Sequence, residues 1–153
     1  MSAHEIGLIK TLEEGNYNYI DRAKLDPRAG LMAAYDADVF LSSANAITDD
    51  GIMVNIDGNS NRVSCIAQGP KKVVFIVGIN KVCSDLDAAM KRARNVAAPV
   101  NAQRFEVKTP CKTTGKCFDC KSPDTICCQF LITRYSRHTG RIHVILVNDN
   151  LGF

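Results

Sequence analysis

At 153 residues, with 46% apolar and 23% charged side chains, the chain has the size and composition of one folded domain with its own core, which excludes a disordered or fibrous polypeptide. A formal net charge of +3, with basic residues scattered among acidic ones, gives no footprint for nucleic acid. No charged-then-apolar leader opens the sequence and no apolar run approaches the length of a membrane span, so the expectation is a cytoplasmic protein whose seven cysteines are reduced or metal-bound.

Ser2-Ala-His-Glu5 has the form of a capping box, and Ile6, Ile9 and Leu12 follow at helical spacing, which predicts an opening helix that stops at Gly15. An alanine-rich second helix is predicted over 28–35, and 38–43 reads as a strand ending in small polar residues. Asn59 or Ser60 would cap a helix through Val63 and Ile66 that Gly69-Pro70 ends. Residues 73–77 read as a buried strand. The stretch 84–97 reads as a helix with Ser84 as N-cap, Asp85 and Asp87 in its first turn, Lys91, Arg92 and Arg94 toward its end, and Pro99 beyond it. After a cysteine-rich loop at 108–128, Ile126, Cys128, Phe130 and Ile132 alternate with other residues as on a strand buried on one face. Residues 141–147 read as a final strand, central in its sheet if the apolar run is buried on both faces.

Strands alternating with helices imply an α/β fold, a single domain over 1–153 built as a three-layer sandwich around a mixed or mainly parallel sheet. Such sheets carry their sites in the loops after the carboxyl ends of strands, and three polar loops fall there. The first runs from Ser42-Ser-Ala-Asn45 through Asp57-Gly-Asn-Ser-Asn-Arg62, the second is Gly78-Ile-Asn-Lys81, and the third surrounds Asn148.

Cys111, Cys117, Cys120 and Cys127 lie on one polar, turn-rich loop and can converge on a single metal. Soft thiolates select zinc or iron–sulfur, and Cys117-x-x-Cys120 aims two sulfurs from one tight turn. The spacing matches neither the standard zinc finger nor the bacterial ferredoxin run, and a redox-active pair or disulfides are the other readings. Cys128 directly follows Cys127 and would point away from it on an extended chain, so Cys127 is taken as the fourth ligand. Lys108, Lys112, Lys116 and Lys121 either offset the thiolate charge or are ordinary surface lysines.

In the polar loops, Thr48-Asp-Asp-Gly51, Asn55 and Asp57-Gly-Asn-Ser-Asn-Arg62 offer carboxylates, amides and a cation to an anionic or hydroxylated small molecule, and Lys81, after Gly78-x-Asn80, either meets a phosphate or carboxylate or is an ordinary surface lysine. Turn chemistry accounts for the same Asp-Gly and Asn-rich segments equally well. His143 reads as a packed strand residue ahead of a catalytic base, and His4 and His138 offer less.

Ser43-Ala-Asn-Ala-Ile-Thr-Asp-Asp-Gly51, Val54-Asn-Ile-Asp-Gly-Asn-Ser-Asn-Arg-Val63, Gly69-Pro-Lys-Lys72, Gly78-Ile-Asn-Lys-Val82, the cysteine loop and Gly140-Arg-Ile-His-Val-Ile-Leu-Val-Asn148 together resemble the LUD family. The resemblance implies a protein of bacterial lactate utilisation with a fold similar to the sugar-phosphate isomerase and CoA-transferase superfamily. It also implies an early strand and a glycine-rich loop ahead of the opening helix, which this sequence lacks. By similarity, Asn45, Thr48, Asp50, Asn55, Asp57, Asn61, Arg62, Asn80 and Lys81 line the site.

Three functions compete. The first is a LUD-type protein of lactate or related organic-acid utilisation, binding a small anionic metabolite and carrying the four-Cys centre. With no G-x-G-x-x-G fingerprint for a nicotinamide or flavin, its electrons would pass through an iron–sulfur cluster or partner subunits, which puts a cluster ahead of zinc. The second is an isomerase or transferase on a phosphorylated or CoA-linked substrate, with Asp50 or Asp57 as general acid or base. The third is a non-catalytic, zinc-stabilised assembly subunit or homo-oligomer. None involves a membrane or nucleic acid.

Overall fold

The computed structural model describes residues 2–153 and opens with two helices where the spacing predicts one. Gly7, at φ +75°, separates α1 (Ser2–Glu5) from α2 (Leu8–Glu14), because the left-handed conformation it adopts at no steric cost cannot continue a helix. Helix α3 (Pro27–Asp36) follows, its first amides taken up by the Asp26 carboxylate at 3.0 Å from Arg28 N and 3.1 Å from Ala29 N. Strand β1 (Val39–Ser42) lies where expected.

The first polar loop hides a hairpin, β2 (Ala46–Thr48) and β3 (Met53–Asp57), paired antiparallel across the Asp49-Asp50-Gly51 turn. Asn55 is therefore a strand residue. Helix α4 (Asn61–Ala67) is capped by Asp57 instead of Asn59 or Ser60: Asp57 Oδ2 accepts from Arg62 N at 2.9 Å and from Val63 N at 3.1 Å. Strand β4 (Lys72–Gly78) and the two-residue β5 (Val82–Cys83) come next. Asp85, not Ser84, caps α5 (Leu86–Arg92), its carboxylate 2.8 Å from Ala88 N. The helix does not stop before Pro99. A π-helical turn over Ala93–Ala97 carries it into α6 (Ala98–Ala102), and Pro99 sits at the start of α6, where its missing N–H is tolerated. Helix α7 (Pro110–Thr114), β6 (Gln129–Thr133) and β7 (Ile142–Val147) complete the chain.

Strands β1, β4 and β7 form one fully parallel sheet in the order β1-β4-β7, and β5-β2-β3-β6 form a second, mixed one. Together with the helices they make a three-layer α/β fold. Between the sheets, Phe40, Ile47, Met53, Val73, Phe75 and Val77 pack with Ala34 of α3 and Cys65 and Ile66 of α4. Phe75 has no exposed surface, so its truncation to alanine would cost about 3–5 kcal/mol. On the far face of the mixed sheet, Ala46, Val54 and Ile56 pack against Ala89, Ala93 and Ala98, small residues that let the helix approach closely. Arg141 ties β7 to the end of α4, donating to the carbonyls of Ile66 at 2.8 Å, Cys65 at 3.2 Å and Pro70 at 3.1 Å.

Two expectations about burial are corrected. Strand β7 is at the edge of its sheet, not central, and Val144, Ile145 and Leu146 remain 42%, 51% and 52% exposed. In β6, Leu131 faces the core while Phe130 and Ile132 are exposed, because the helical layer that covers Val54 and Ile56 stops short of this edge strand. No helix among the described residues is long and apolar enough to cross a membrane.

Candidate functional site

Because β1, β4 and β7 are parallel, the three polar loops leave the same end of one sheet and touch. Lys81 Nζ lies 3.1 Å from Ser43 Oγ and 3.2 Å from Ser2 Oγ. Asn80 Oδ1 accepts from Leu151 N at 3.2 Å, and Ile79 N donates to the Asp149 carbonyl at 3.1 Å. Lys81 is only 3% exposed, so this meeting point is interior, where a solvent-reachable concave surface would be the usual form of a ligand site.

Two guanidinium groups hold the loops in place. Arg62 donates to the Ser43 carbonyl at 3.2 Å, to Asn45 Oδ1 at 3.1 Å and to the Ile56 carbonyl at 2.6 Å. Arg92 donates to the carbonyls of Asn80 and Asn45, joining the second loop to the first. Burial lowers Lys81 from its ordinary value to about 8, and the Arg92 and Arg62 charges push the same way against a smaller opposing pull from Glu5. Among the described residues no carboxylate pairs with Lys81. The result is a buried, cation-rich cluster held by hydroxyls and backbone carbonyls.

Of the residues expected there, Asn45, Arg62, Asn80 and Lys81 come together. Asn55 is fully buried on β3, and among the described residues no group bonds either polar atom of its amide. Asp57 caps α4 and also accepts from Asn59 N at 3.0 Å, so its carboxylate is engaged by backbone amides. Thr48 and Asp50 bond one another at the β2–β3 turn. Asn61 lies apart, bordering a cavity of about 380 Å³ between α3 and α4 with Arg28 and Tyr35. His143 is exposed, bonded to the Gly140 carbonyl at 2.8 Å.

The cysteine loop is built from short local devices. Lys108 N donates to Asp124 Oδ2 at 2.9 Å, closing the loop near its ends, and Gly115 at φ +70° ends α7. Thr109 Oγ1 lies 3.3 Å from Cys111 Sγ, Asp119 N donates to Cys117 Sγ at 3.4 Å, and the Thr125 hydroxyl meets Cys120 Sγ at 3.9 Å and Cys127 N at 3.3 Å. Cys111, Cys117, Cys120 and Cys127 all line one cavity of about 350 Å³, with Cys128 also on its wall. Cys127 packs against the helix-covered core and Cys128 is exposed. Burial pushes the Cys127 thiol up to about 11, helped by the negative charge of Cys111, Cys117, Cys120 and Cys128. Among the described residues, no three His, Cys, Asp or Glu side chains are gathered tightly enough to hold an ion. The thiols share a cavity without closing on a point. As a donor set, four soft sulfurs fit zinc or an iron–sulfur cluster.

The cation on these sulfurs comes from elsewhere in the sequence. Arg94 Nη2 reaches Cys117 Sγ at 3.7 Å and Asp119 Oδ1 at 2.7 Å, while Lys112 turns to the Phe105 carbonyl and Glu106. Nothing in the loop's own sequence points to Arg94.

The LUD domain model matches residues 1–147 of the chain. The chain belongs to the LUD domain family. No curated protein and no solved structure matches this LUD domain. The match spans the loops after β1 and β4 and the cysteine loop.

Proposed function

We propose that this LUD domain serves lactate or related organic-acid utilisation, holding a small anionic metabolite among Lys81, Arg62 and Asn45 and carrying one metal centre on Cys111, Cys117, Cys120 and Cys127. The observation that carries the reading is the gathering of those four thiols on one cavity wall, although they come from a 17-residue stretch with little regular structure. Thiolates lining one cavity wall repel each other, and a bound cation would relieve that repulsion. A cluster would supply one-electron transfer, and zinc would supply a structural clamp. The anion site is supported by three cations, Lys81, Arg62 and Arg92, brought into mutual range with a single partly compensating carboxylate each for Lys81 and Arg62. Partner subunits of the same organic-acid metabolism would take up or deliver the electrons.

Anaerobic purification followed by metal analysis and visible absorption tests the centre. A cluster is coloured and bleaches on reduction, whereas zinc is colourless and redox-silent. Cys117→Ser should lose the metal and Cys128→Ser should retain it. Protein that carries neither metal after reconstitution with iron and sulfide or with zinc would overturn the reading.

A further inference from the structure

The Cys117 sulfur is approached by two N–H donors, one from its own turn and one from 23 residues earlier in the chain. The Asp119 amide donates at 3.4 Å from within the Cys117-Phe-Asp-Cys120 turn, where Asp119 takes the left-handed φ of +51°. Arg94 Nη2 donates at 3.7 Å and is itself gripped by Asp119 Oδ1 at 2.7 Å. Arg94 belongs to the π-helical turn Ala93–Ala97, while Ala93, Ala97 and Ala98 stay buried against the mixed sheet. Such a turn inserts an extra residue into the helix, which reorients the side chains on it, and it recurs at functional sites.

A stabilising role for this arrangement is weak. The Asp119 side chain is 76% exposed, and an ion pair that open to solvent contributes little to stability. Aiming two N–H groups at one sulfur does something different: it fixes the direction in which the sulfur's remaining lone pairs point. A divalent ion held by four thiolates retains two net negative charges, and no lysine of the loop is bonded to any of the sulfurs.

We propose that Arg94 is a positioning residue of the four-thiolate centre: it orients the Cys117 sulfur and supplies the positive charge that offsets the anionic site, with Asp119 as the latch that keeps the guanidinium there. This rests on the four-Cys reading above. Metal affinity and the energy of the sulfur-to-metal charge-transfer transition therefore depend on the charge at position 94.

The test uses the full chain, reduced and stripped of metal, titrated anaerobically with cobalt(II) and then competed with zinc. Arg94→Ala should weaken binding of both ions by about 10–100-fold and shift the thiolate-to-cobalt absorption, as loss of an outer-shell partner does. Arg94→Lys should recover most of the affinity and return the band toward its wild-type position, a rescue that a purely structural role would not produce. If Arg94→Ala fails to fold, Arg94→Gln carries the same test, keeping donors but no charge. Unchanged affinity and spectrum in the neutral variant, alongside loss of binding in Cys120→Ser, would overturn the role of Arg94 and leave the centre standing. Wild-type protein that binds neither ion and takes up no cluster on reconstitution with iron and sulfide would overturn both.

Discussion

Lys81 Nζ sits 3.1 Å from Ser43 Oγ, and this contact joins the loop after β4 to the loop after β1 through a buried ammonium whose partners among the described residues are hydroxyls and not carboxylates. A sequence shaped for stability alone would place an apolar residue or an ion pair at such a position.

The depressed proton affinity of Lys81 makes a pH prediction with a definite sign. Its folded value is about 8 against an unfolded value near 10.5, so between those limits the unfolded chain holds a proton that the folded chain has released. Stability from this group therefore rises with pH through that window, and below it the full penalty of burying the charge is present. Lys81→Met should be more stable than wild type at pH 7 by up to about 3 kcal/mol, and the difference should shrink toward pH 10.5. Urea unfolding of both proteins across pH 7 to 10.5 reads it. Parallel curves would show that Lys81 is not the group responsible.

Asn55 supplies a second case of polarity without a partner. Both polar atoms of its amide are buried and unbonded to protein on a strand whose neighbours Val54 and Ile56 are apolar. Asn55→Val should stabilise the fold by about 1–3 kcal/mol, which raises the melting temperature by about 2–4 °C per kcal/mol for a domain of this size. Thermal unfolding followed by circular dichroism measures the shift. A lower melting temperature would mean that the amide is already well satisfied.

The parallel sheet was legible because β1, β4 and β7 are short apolar runs bounded by polar residues, and the loops after them follow from the strand directions. The β2–β3 hairpin was not. Its strands have three and five residues, carry Asn55 and Asp57, and so resemble turn sequence. The edge position of β7 escaped detection for the opposite reason, since six consecutive strand residues without a charge satisfy every criterion for a central strand. The loops that carry Lys81, Arg62 and Asn45 stood out by their polar composition, whereas Arg94 lies 23 residues from the cysteine it touches and sits on a π turn that has no sequence signature.

The open edge of β7 predicts a solubility effect. Its backbone edge and the exposed Val144, Ile145 and Leu146 form a template for pairing with another chain, with no lysine or proline to discourage it. Ile145→Lys should leave the unfolding free energy within about 0.5 kcal/mol of wild type and reduce concentration-dependent association. Light scattering over a concentration series measures this. A large loss of stability with no change in association would show that Ile145 is a core residue instead.

Gly78 connects the end of β4 to the C-terminal stretch. A Cβ there would stand 2.5 Å from Asn80 Oδ1, 2.6 Å from Leu151 N and 2.8 Å from the Asp149 carbonyl, and two of those atoms are backbone. The φ of −74° is open to any residue, so the constraint is close approach, not backbone strain. Gly78→Ala should therefore push residues 149–151 away from Asn80, break the bond from Leu151 N to Asn80 Oδ1, and uncover Lys81, which that stretch and Ser2 enclose. The overpacking should cost about 1–3 kcal/mol, small enough to leave a folded protein in which the change can be read. Two measurements check it together: faster amide hydrogen exchange at 149–152, and faster acylation of Lys81 located by peptide mass spectrometry. If exchange accelerates while Lys81 stays protected, the C-terminal stretch is not its cover; if neither changes, the backbone gives way at Gly78 without disturbing the site.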